Sequence, residues 1–579
     1  MARGENRVNM LRVAATLTVL FCALTGASPA VAQMFVESST TRFPQPDPNE
    51  YTNQCTLGDI DGDGDLDIVW ANGGNFSSAG TNQLARIYIN DGTGVFTDQS
   101  VARGAASGLF RGVELGDVDN DGDLDVVLAE DFNRQPNLLI NNGSGFFTDE
   151  SATRLPATTL GSSRAQFADI DNDGDLDLYF TNGGASRWGS GQNRIYVNNG
   201  AGVFTDETAT RHPAAVLAEP QDAIFGDIDG DYDLDVRTAS TGSNASRLYR
   251  NNGAGIYSTV AGIPADANCY SYDFGDIDGD DDLDLLGANA SSSGNNSELM
   301  LRNDSGGTVF TNVSANLVPN PTVDDNDSKF FDYDNDGDLD LIVARLGGTA
   351  ERIYNNNGSG VFTEVTGLIT AISDSTLDLK VGDVNGDGRL DIVTAQGESG
   401  SFRNRLYINT TGPVDTRAPR IVATESIPDN SNVTSPFVVR AAILDDMSSD
   451  RNFFDRGITL NYSIDAGPVQ QVAARHSGGQ VYRAVIPPVG CGGVVSYFFT
   501  ARDFANNLGT GPTRMFTVTP TLMPGDLDAD GDVDHVDGQI LANVLIGLDS
   551  DPGHICRADL NGDTLRDGQD VISFVARIP

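Results

Sequence analysis

Lysine is almost missing: only Lys329 and Lys380 occur, and Lys and Arg together number 36 against 82 Asp and Glu in 579 residues. Nucleic acid is gripped through its phosphates by clustered cations, and a formal net charge of -46 leaves no such patch, which argues against nucleic acid as a partner. Histidine is as scarce. His212, His476, His535 and His554 are scattered, so a His-based triad or zinc centre is poorly supplied. Beyond Cys22 there are Cys55, Cys269, Cys491 and Cys556, too few for a disulfide scaffold and too far apart for a C-x-x-C metal site. They read as buried or incidental thiols. After residue 32 no segment has the ~20 apolar residues of a membrane span.

What is present begins with Arg3, Arg7 and Arg12 ahead of an apolar stretch from Val13 to Gly26, followed by Ala30-Val31-Ala32. This reads as a secretory signal over residues 1–32 and predicts a secreted, extracellular or cell-surface protein. Phe21 stands where a lipoprotein signal would want a small residue before Cys22. So acidic a chain could be disordered, but hydrophobic residues make up 39% and recur in Gly-bounded runs of Val, Ile, Leu and Phe, which argues for packed structure.

The acidity is organised. A pattern D-x-[DN]-x-D-x-x-x-D, with Gly usually at position 6, starts at Asp59, Asp117, Asp169, Asp227, Asp276, Asp332 and Asp383, at spacings of 58, 52, 58, 49, 56 and 51 residues. Such a period suits a unit of about four short strands, hence a propeller blade. Some 20 residues into most units comes a hairpin signature: RIYINDGTGVFTD from Arg86, NLLINNGSGFFTD from Asn137, RIYVNNGAGVFTD from Arg194. Strand A precedes each Asp cluster, strand B follows it (Leu66–Ala71, Leu124–Ala129), and the hairpin supplies strands C and D. Four strands in each of seven units predict a seven-bladed β-propeller. The seventh hairpin, from Arg405, lacks its fourth strand, whereas MFVESSTTRFP from Met34 matches FTDESATRLP from Phe147. Phe35–Ser38 is therefore expected to pair with Leu406–Ile408 and close the ring, leaving no blade edge unpaired.

Oxygen side chains at positions 1, 3, 5 and 9, with a backbone carbonyl at 7, suit Ca²⁺, which takes 6–8 oxygens. The candidate ligands are Asp59, Asp61, Asp63 and Asp67 with the carbonyl of Asp65; Asp117, Asp119, Asp121 and Asp125 with that of Asp123; and Asp169, Asp171, Asp173 and Asp177 with that of Asp175. The next two loops offer Asp227, Asp229, Asp231 and Asp235 with Asp233, and Asp276, Asp278, Asp280 and Asp284 with Asp282. The last two offer Asp332, Asp334, Asp336 and Asp340 with Asp338, and Asp383, Asn385, Asp387 and Asp391 with Arg389. Four carboxylates about 4 Å apart make six repulsive pairs, each on the order of 1–4 kcal/mol, so the clusters call for a cation. Position 6 is Gly in five loops but Tyr232 in the fourth and Asp281 in the fifth, where a sharp turn would be strained or the site weaker.

These residues resemble the FG-GAP or VCBS repeat over about Met34 to Thr411. The resemblance implies an integrin-α-like propeller with calcium in the A–B loops and ligand recognition on the opposite face. There lie Phe76, Phe132, Arg134, Arg187 and Trp188, which suit sugar stacking or protein contact. Trp188 could equally pack its own loop.

From Arg417 to Pro520, alternating strands such as FVVRAAIL and VVSYFFTARD predict a β-sandwich, similar to bacterial Ig-like or fibronectin-like modules and read as a spacer. The tail carries a second kind of loop, twice. Asp526, Asp528, Asp530 and Asp532 with Asp537 at position 12, then Asp559, Asn561, Asp563 and Leu565 with Asp570, follow EF-hand spacing, and an apolar helix is expected over Val536–Leu548. This duplicated loop-helix resembles a type I dockerin and implies a cohesin-like partner. The whole is a mainly β chain: signal 1–32, seven-bladed propeller 33–412, Ig/fibronectin-like sandwich 413–521, and a small α-helical, EF-hand-type, dockerin-like unit 522–579, with up to seven calcium ions in the propeller and up to two in the last unit. Three functions fit: a secreted calcium-binding adhesion or recognition protein, a polysaccharide-degrading lyase or glycoside hydrolase of a cellulosome-like system, or a structural surface-layer component. No isolated carboxylate pair presents itself as acid and base.

Overall fold

The computed structural model describes residues 33–578 except 47, 76–77, 243–245, 265, 267, 291–296, 347–349, 398–399, 431–434, 446–452, 490–491, 520–524, 529 and 562–564. The expected signal, 1–32, lies outside the described residues, as do Phe76, Cys491 and Asp563. Among the described residues no helix is long and apolar enough to cross a membrane.

The chain is mainly β, built from many small antiparallel sheets. In the first sheet, Thr52–Gly58, Asp67–Asn72, Arg86–Asn90 and Phe96–Asp98 pair in sequence order. The same order recurs in the next five sheets, the sixth gaining a two-residue parallel strand, Leu317–Val318. The second strands begin at the position 9 aspartates, one residue later than the hydrophobic pattern suggests, because Asp67 already pairs with Gly58. The seventh sheet borrows its last strand from the start of the chain: Phe35–Glu37 pairs with Arg405–Asn409 in the register Val36 to Ile408, as the matching segments predict.

Alternation along each strand sends successive side chains to opposite faces, so each sheet shares one core with the sheet before it and another with the sheet after. Val69 and Ile87 of the first sheet pack with Val113 and Leu128 of the second; Val127 and Leu138 of the second pack with Leu178 and Tyr196 of the third. The succession returns to its start, since Ile68, Trp70 and Tyr88 of the first sheet share a core with Val393 and Leu406 of the seventh.

Residues 420–518 form two further antiparallel sheets around a core that includes Val439, Ile458, Tyr497 and Phe516. Beyond them lie helices His535–Leu545, Pro552–Arg557 and Gly568–Val575, with Leu527, Leu541, Leu560 and Phe574 buried between them. The first of these begins one residue earlier and ends three earlier than expected, capped by Asp534 through a capping box with Asp537.

Candidate metal centres

Each Asp loop joins an innermost strand to the next strand, and three backbone devices hold it. Position 1 accepts amide hydrogens across the turn: Asp59 from Gly62 (2.8 Å) and Gly64 (3.0 Å), Asp276 from Gly279 (2.7 Å) and Asp280 (3.1 Å). Position 9, buried, ties the loop to the hairpin of its own sheet: Asp67 accepts from Ile60 (3.2 Å) and Asn90 (2.8 Å), Asp125 from Val118 (3.1 Å) and Asn141 (2.8 Å). Position 7 packs beneath the hairpin turn, where a Cβ on Gly92 would sit 2.5 Å from Asp65 Oδ2, and the turn itself asks for Gly because φ at Gly92 is +77°.

The hairpin asparagines are functional residues that the motif alone does not announce. Asn141 Nδ2 donates to Leu124 O (3.0 Å) in its own loop and to Ile60 O (2.8 Å) in the loop of the preceding sheet. Asn198, Asn251, Asn303 and Asn356 repeat this bridge, and Asn90 makes it to Val384 O (2.7 Å) of the seventh loop. The first six Asp loops are thus stitched in succession, and the first is stitched to the seventh.

Among the described residues, several groups of three carboxylates present oxygens within 4.8 Å of one another, among them Asp59, Asp61 and Asp67; Asp117, Asp119 and Asp121; Asp169, Asp171 and Asp173; Asp227, Asp229 and Asp231; Asp276, Asp278 and Asp284. At position 3 of the first six loops one buried oxygen, Oδ1 of Asp61, Asp119, Asp171, Asp229, Asp278 and Asp334, has no hydrogen-bond partner. Buried acceptors are rarely left unmet, and here the same atom is orphaned in six successive loops. Burial also pushes the position 9 carboxyls upward, Asp125 to about 7, Asp67 to about 8 and Asp340 to about 9, because desolvation disfavours the charged form. The donors are all hard oxygens, and this set fits Ca²⁺. In the seventh loop position 3 is Asn385, whose amide donates to Asp391 (3.1 Å), and Arg389 turns away to Gly412 O (2.7 Å).

Where the loop Gly is replaced, the backbone keeps the same left-handed turn: φ is +96° at Gly64, +68° at Tyr232 and +73° at Asp281. Both substituted side chains meet residues 420–518, which lie against the Asp loops rather than apart from them as a spacer would. Arg440 Nη1 donates to Asn172 Oδ1 (2.9 Å), Tyr232 O (3.1 Å) and Asp233 Oδ1 (2.8 Å), with its guanidinium 5.6 Å from the Tyr232 ring centre. Arg420 bonds Asp281 and Asp276 (3.0 Å). Arg475 reaches Asn120, Arg483 approaches Asp169 (3.7 Å), and Gln480 exchanges two hydrogen bonds with the backbone of Asp227 (2.8 and 3.2 Å). Asp445, His476 and Gln480 also border a cavity of about 240 Å³ between the inner strands, into which both lysines, Lys329 and Lys380, are built.

In the tail, Asp537 accepts from Leu527 (2.5 Å) and Asp528 (3.1 Å), and Asp570 from Leu560 (2.7 Å) and Asn561 (3.3 Å), so the twelfth-position carboxylates close their loops in the same way. Asp526 accepts from Gly531 (3.0 Å). Leu565 is exposed.

On the side away from the loops, the backbone amides of Phe132 and Arg187 both donate to Asp131, and Trp188 packs on Arg187. Arg187 is buried, not exposed as its loop composition suggests; its backbone amide donates to buried Asp131 (2.9 Å) and its guanidinium stacks 4.3 Å from the Trp188 ring centre. Arg111 lies 5.6 Å from the ring centre of Phe132, and Arg134 donates to Asn82 (2.8 Å). Trp188 and Phe132 remain half-buried.

An FG-GAP-like repeat model matches residues 59–128, 117–180 and 332–394, each running from position 1 of an Asp loop into the second strand of the following sheet. The chain therefore carries FG-GAP-like repeats. No curated protein matches it. Among solved structures, a fructofuranosidase from Schwanniomyces occidentalis is 8% identical, with 82% of this chain and 90% of that one covered and a TM-score of 0.24. A Ca²⁺-stabilised adhesin by which an Antarctic bacterium binds ice is 10% identical, covering 81% and 99% at a TM-score of 0.14. A tetra-tandem repeat from the extending region of a large adhesion protein is 12% identical, covering 81% and 99% at 0.15. Likenesses this slight define no common fold.

Proposed function

We propose that the chain is a secreted, calcium-stabilised recognition protein whose seven sheets are the blades of a propeller. The observation that carries this reading is the orphaned position 3 oxygen, repeated in six stitched loops. Calcium in those loops would be held by the carboxylates of positions 1, 3, 5 and 9 and the carbonyl of position 7, and would neutralise a ring of buried negative charge. Residues 413–521 form an Ig/fibronectin-like domain that covers the loop side through Arg420, Arg440 and Gln480. The opposite side, with Phe132, Arg134, Arg187 and Trp188, is then the open one, and it is the side we assign to ligand, carbohydrate or protein. Residues 522–579 act as a dockerin-like anchor, and exposed Val571, Ile572 and Val575 on the last helix give a partner of cohesin type an apolar face to cover.

The test uses the full chain in calcium: retention on a panel of polysaccharides, with release of soluble sugar followed in the same tubes. Retention without release supports the recognition reading. Release of sugar overturns it in favour of the polysaccharide-degrading alternative, and retention on none of the panel directs the open side to protein ligands.

A further inference from the structure

Position 4 of each Asp loop stands between two candidate ligands and turns left-handed, a conformation that glycine adopts freely, and Gly62, Gly230, Gly279 and Gly386 supply it in the first, fourth, fifth and seventh loops. The second and third loops use Asn120 and Asn172 instead, at φ +65° and +62°. What they add is a side chain. Asn120 Nδ2 donates to Oδ1 of Asp175 (2.7 Å), position 7 of the third loop. Asn172 Nδ2 donates to Oδ1 of Asp233 (2.9 Å), position 7 of the fourth, and to Gly253 O (3.2 Å) in the turn above it. In the sixth loop, whose successor has Arg389 at position 7, Asn335 donates to Thr416 (2.8 Å) instead. Arginines make a parallel link. Arg154 Nη2 donates to Oδ2 of Asp119 (3.2 Å), the oxygen opposite the unmet Oδ1, while its Nη1 donates to Ala201 O (2.6 Å) in the hairpin turn that sits on Asp175. Arg211 joins Asp171 (2.8 Å) to Ala254 O (2.9 Å) in the turn over Asp233. Arg103 spans Asp61 (2.9 Å) and Ser144 O (2.7 Å), so the first loop, with glycine at position 4, has the arginine link alone.

We propose that the second, third and fourth loops bind calcium cooperatively, each loop handing its order to position 7 of the next through one asparagine and one arginine. The inference rests on calcium as the occupant of those loops. An ion held by positions 3 and 5 fixes position 4 between them and so aims the Asn120 amide; Asp175, held by that amide, offers the third site its backbone carbonyl. Fixing one loop therefore removes freedom that the next would otherwise lose on binding, which is positive coupling without a change of fold. Arg475 and Arg440 of the following domain grip the same two asparagines, so the relay is also held from the docked side.

The test follows hydrogen exchange of the full chain against free calcium at one amide per loop, each donating to position 1: Gly122, Gly174 and Tyr232. In the unaltered chain the three should become protected together, over a calcium range narrower than independent sites allow. Asp173→Asn weakens the third site alone, and by the reciprocity of linkage it should raise the calcium midpoints at Gly122 and Tyr232 about fivefold or more. In a chain that also carries Asn120→Gly, Asn172→Gly, Arg154→Gln and Arg211→Gln, Asp173→Asn should move neither. The two glycines keep the backbone, because other loops carry glycine at that position. Arg440→Ala loosens the docked domain but keeps both links, and the shared midpoint should survive it; its loss there overturns the relay. Midpoints at Gly122 and Tyr232 unmoved by Asp173→Asn overturn the coupling and leave calcium binding standing. Exchange indifferent to calcium at all three amides overturns both this inference and the calcium reading. Should the chain with the links removed fail to fold, Asp173→Asn alone decides.

Discussion

Replacing Arg440 with alanine removes the contact that ties the Asp loops to the domain beyond them. Its guanidinium holds Glu425 on its own side through bonds of 3.0 and 3.1 Å and reaches Asn172, Tyr232 and Asp233 across the junction. The bond to Asp233 is charge-assisted, worth about 1.5–3 kcal/mol, and the two to neutral acceptors about 1 kcal/mol each. Because the side chain is still partly solvated, we discount the sum to about 3 kcal/mol of docking free energy. Docking is not abolished, since Arg420 and Gln480 remain. The readout is hydrogen exchange at two amides that donate to that domain: Asp169 N to Ser477 O (2.6 Å) and Asp227 N to Gln480 Oε1 (3.2 Å). A loss of about 3 kcal/mol opens the junction roughly a hundredfold more often, and exchange there should speed by that factor while amides inside the seven sheets keep their rates. Unchanged exchange at Asp169 and Asp227 would refute the docked arrangement, and with it the explanation of Tyr232 and Asp281 as junction residues.

Three further outcomes follow from individual side chains. Asn141→Ala leaves Ile60 O and Leu124 O without their buried donor and should cost about 2–5 kcal/mol, read as a shift in denaturant midpoint in calcium. Asp119→Asn keeps the shape of position 3 but removes its charge, so the calcium midpoint of the second loop's signal should rise about tenfold. His212 is pushed down to about 4 by burial against Tyr179 and Tyr249; the unfolded chain therefore takes up a proton near pH 6.5 that the folded one refuses. Its contribution is intact above pH 6.5 and is lost as pH falls towards 4, by up to about 3 kcal/mol, and His212→Phe should flatten that part of the stability profile.

The repeated unit is legible because its instructions are local. Alternating side chains, an Asn-Gly turn and an acidic loop lie within about fifty residues, and the match of Met34–Pro44 to later fourth strands gives the pairing of Val36 with Ile408. The stitching asparagines carried a readable signal, since Asn90, Asn141, Asn198, Asn251, Asn303 and Asn356 recur at one place in their hairpins. Their second partners lie in the preceding sheet, and local patterning does not show that. Arg440, Arg420 and Gln480 were illegible for a stronger reason: each serves a loop some 140 to 250 residues away, and nothing around them in sequence marks an interface. The same distance hides why Tyr232 and Asp281 replace glycine. Arg187 misled in the other direction, because a polar, glycine-rich loop suggests exposure while Asp131 draws it inward.

The central claim is that the seven Asp loops hold calcium and that the metal holds the ring. Both tryptophans, Trp70 and Trp188, lie in the seven-sheet part, so tryptophan fluorescence reports its unfolding free of the tail's own loops. The measurement is a fluorescence melt of the full chain in saturating calcium and in excess EGTA. Each site filled a hundredfold above its Kd adds about 2.7 kcal/mol, so several sites together predict a large drop in Tm on chelation. The same Tm in calcium and in EGTA would contradict the account.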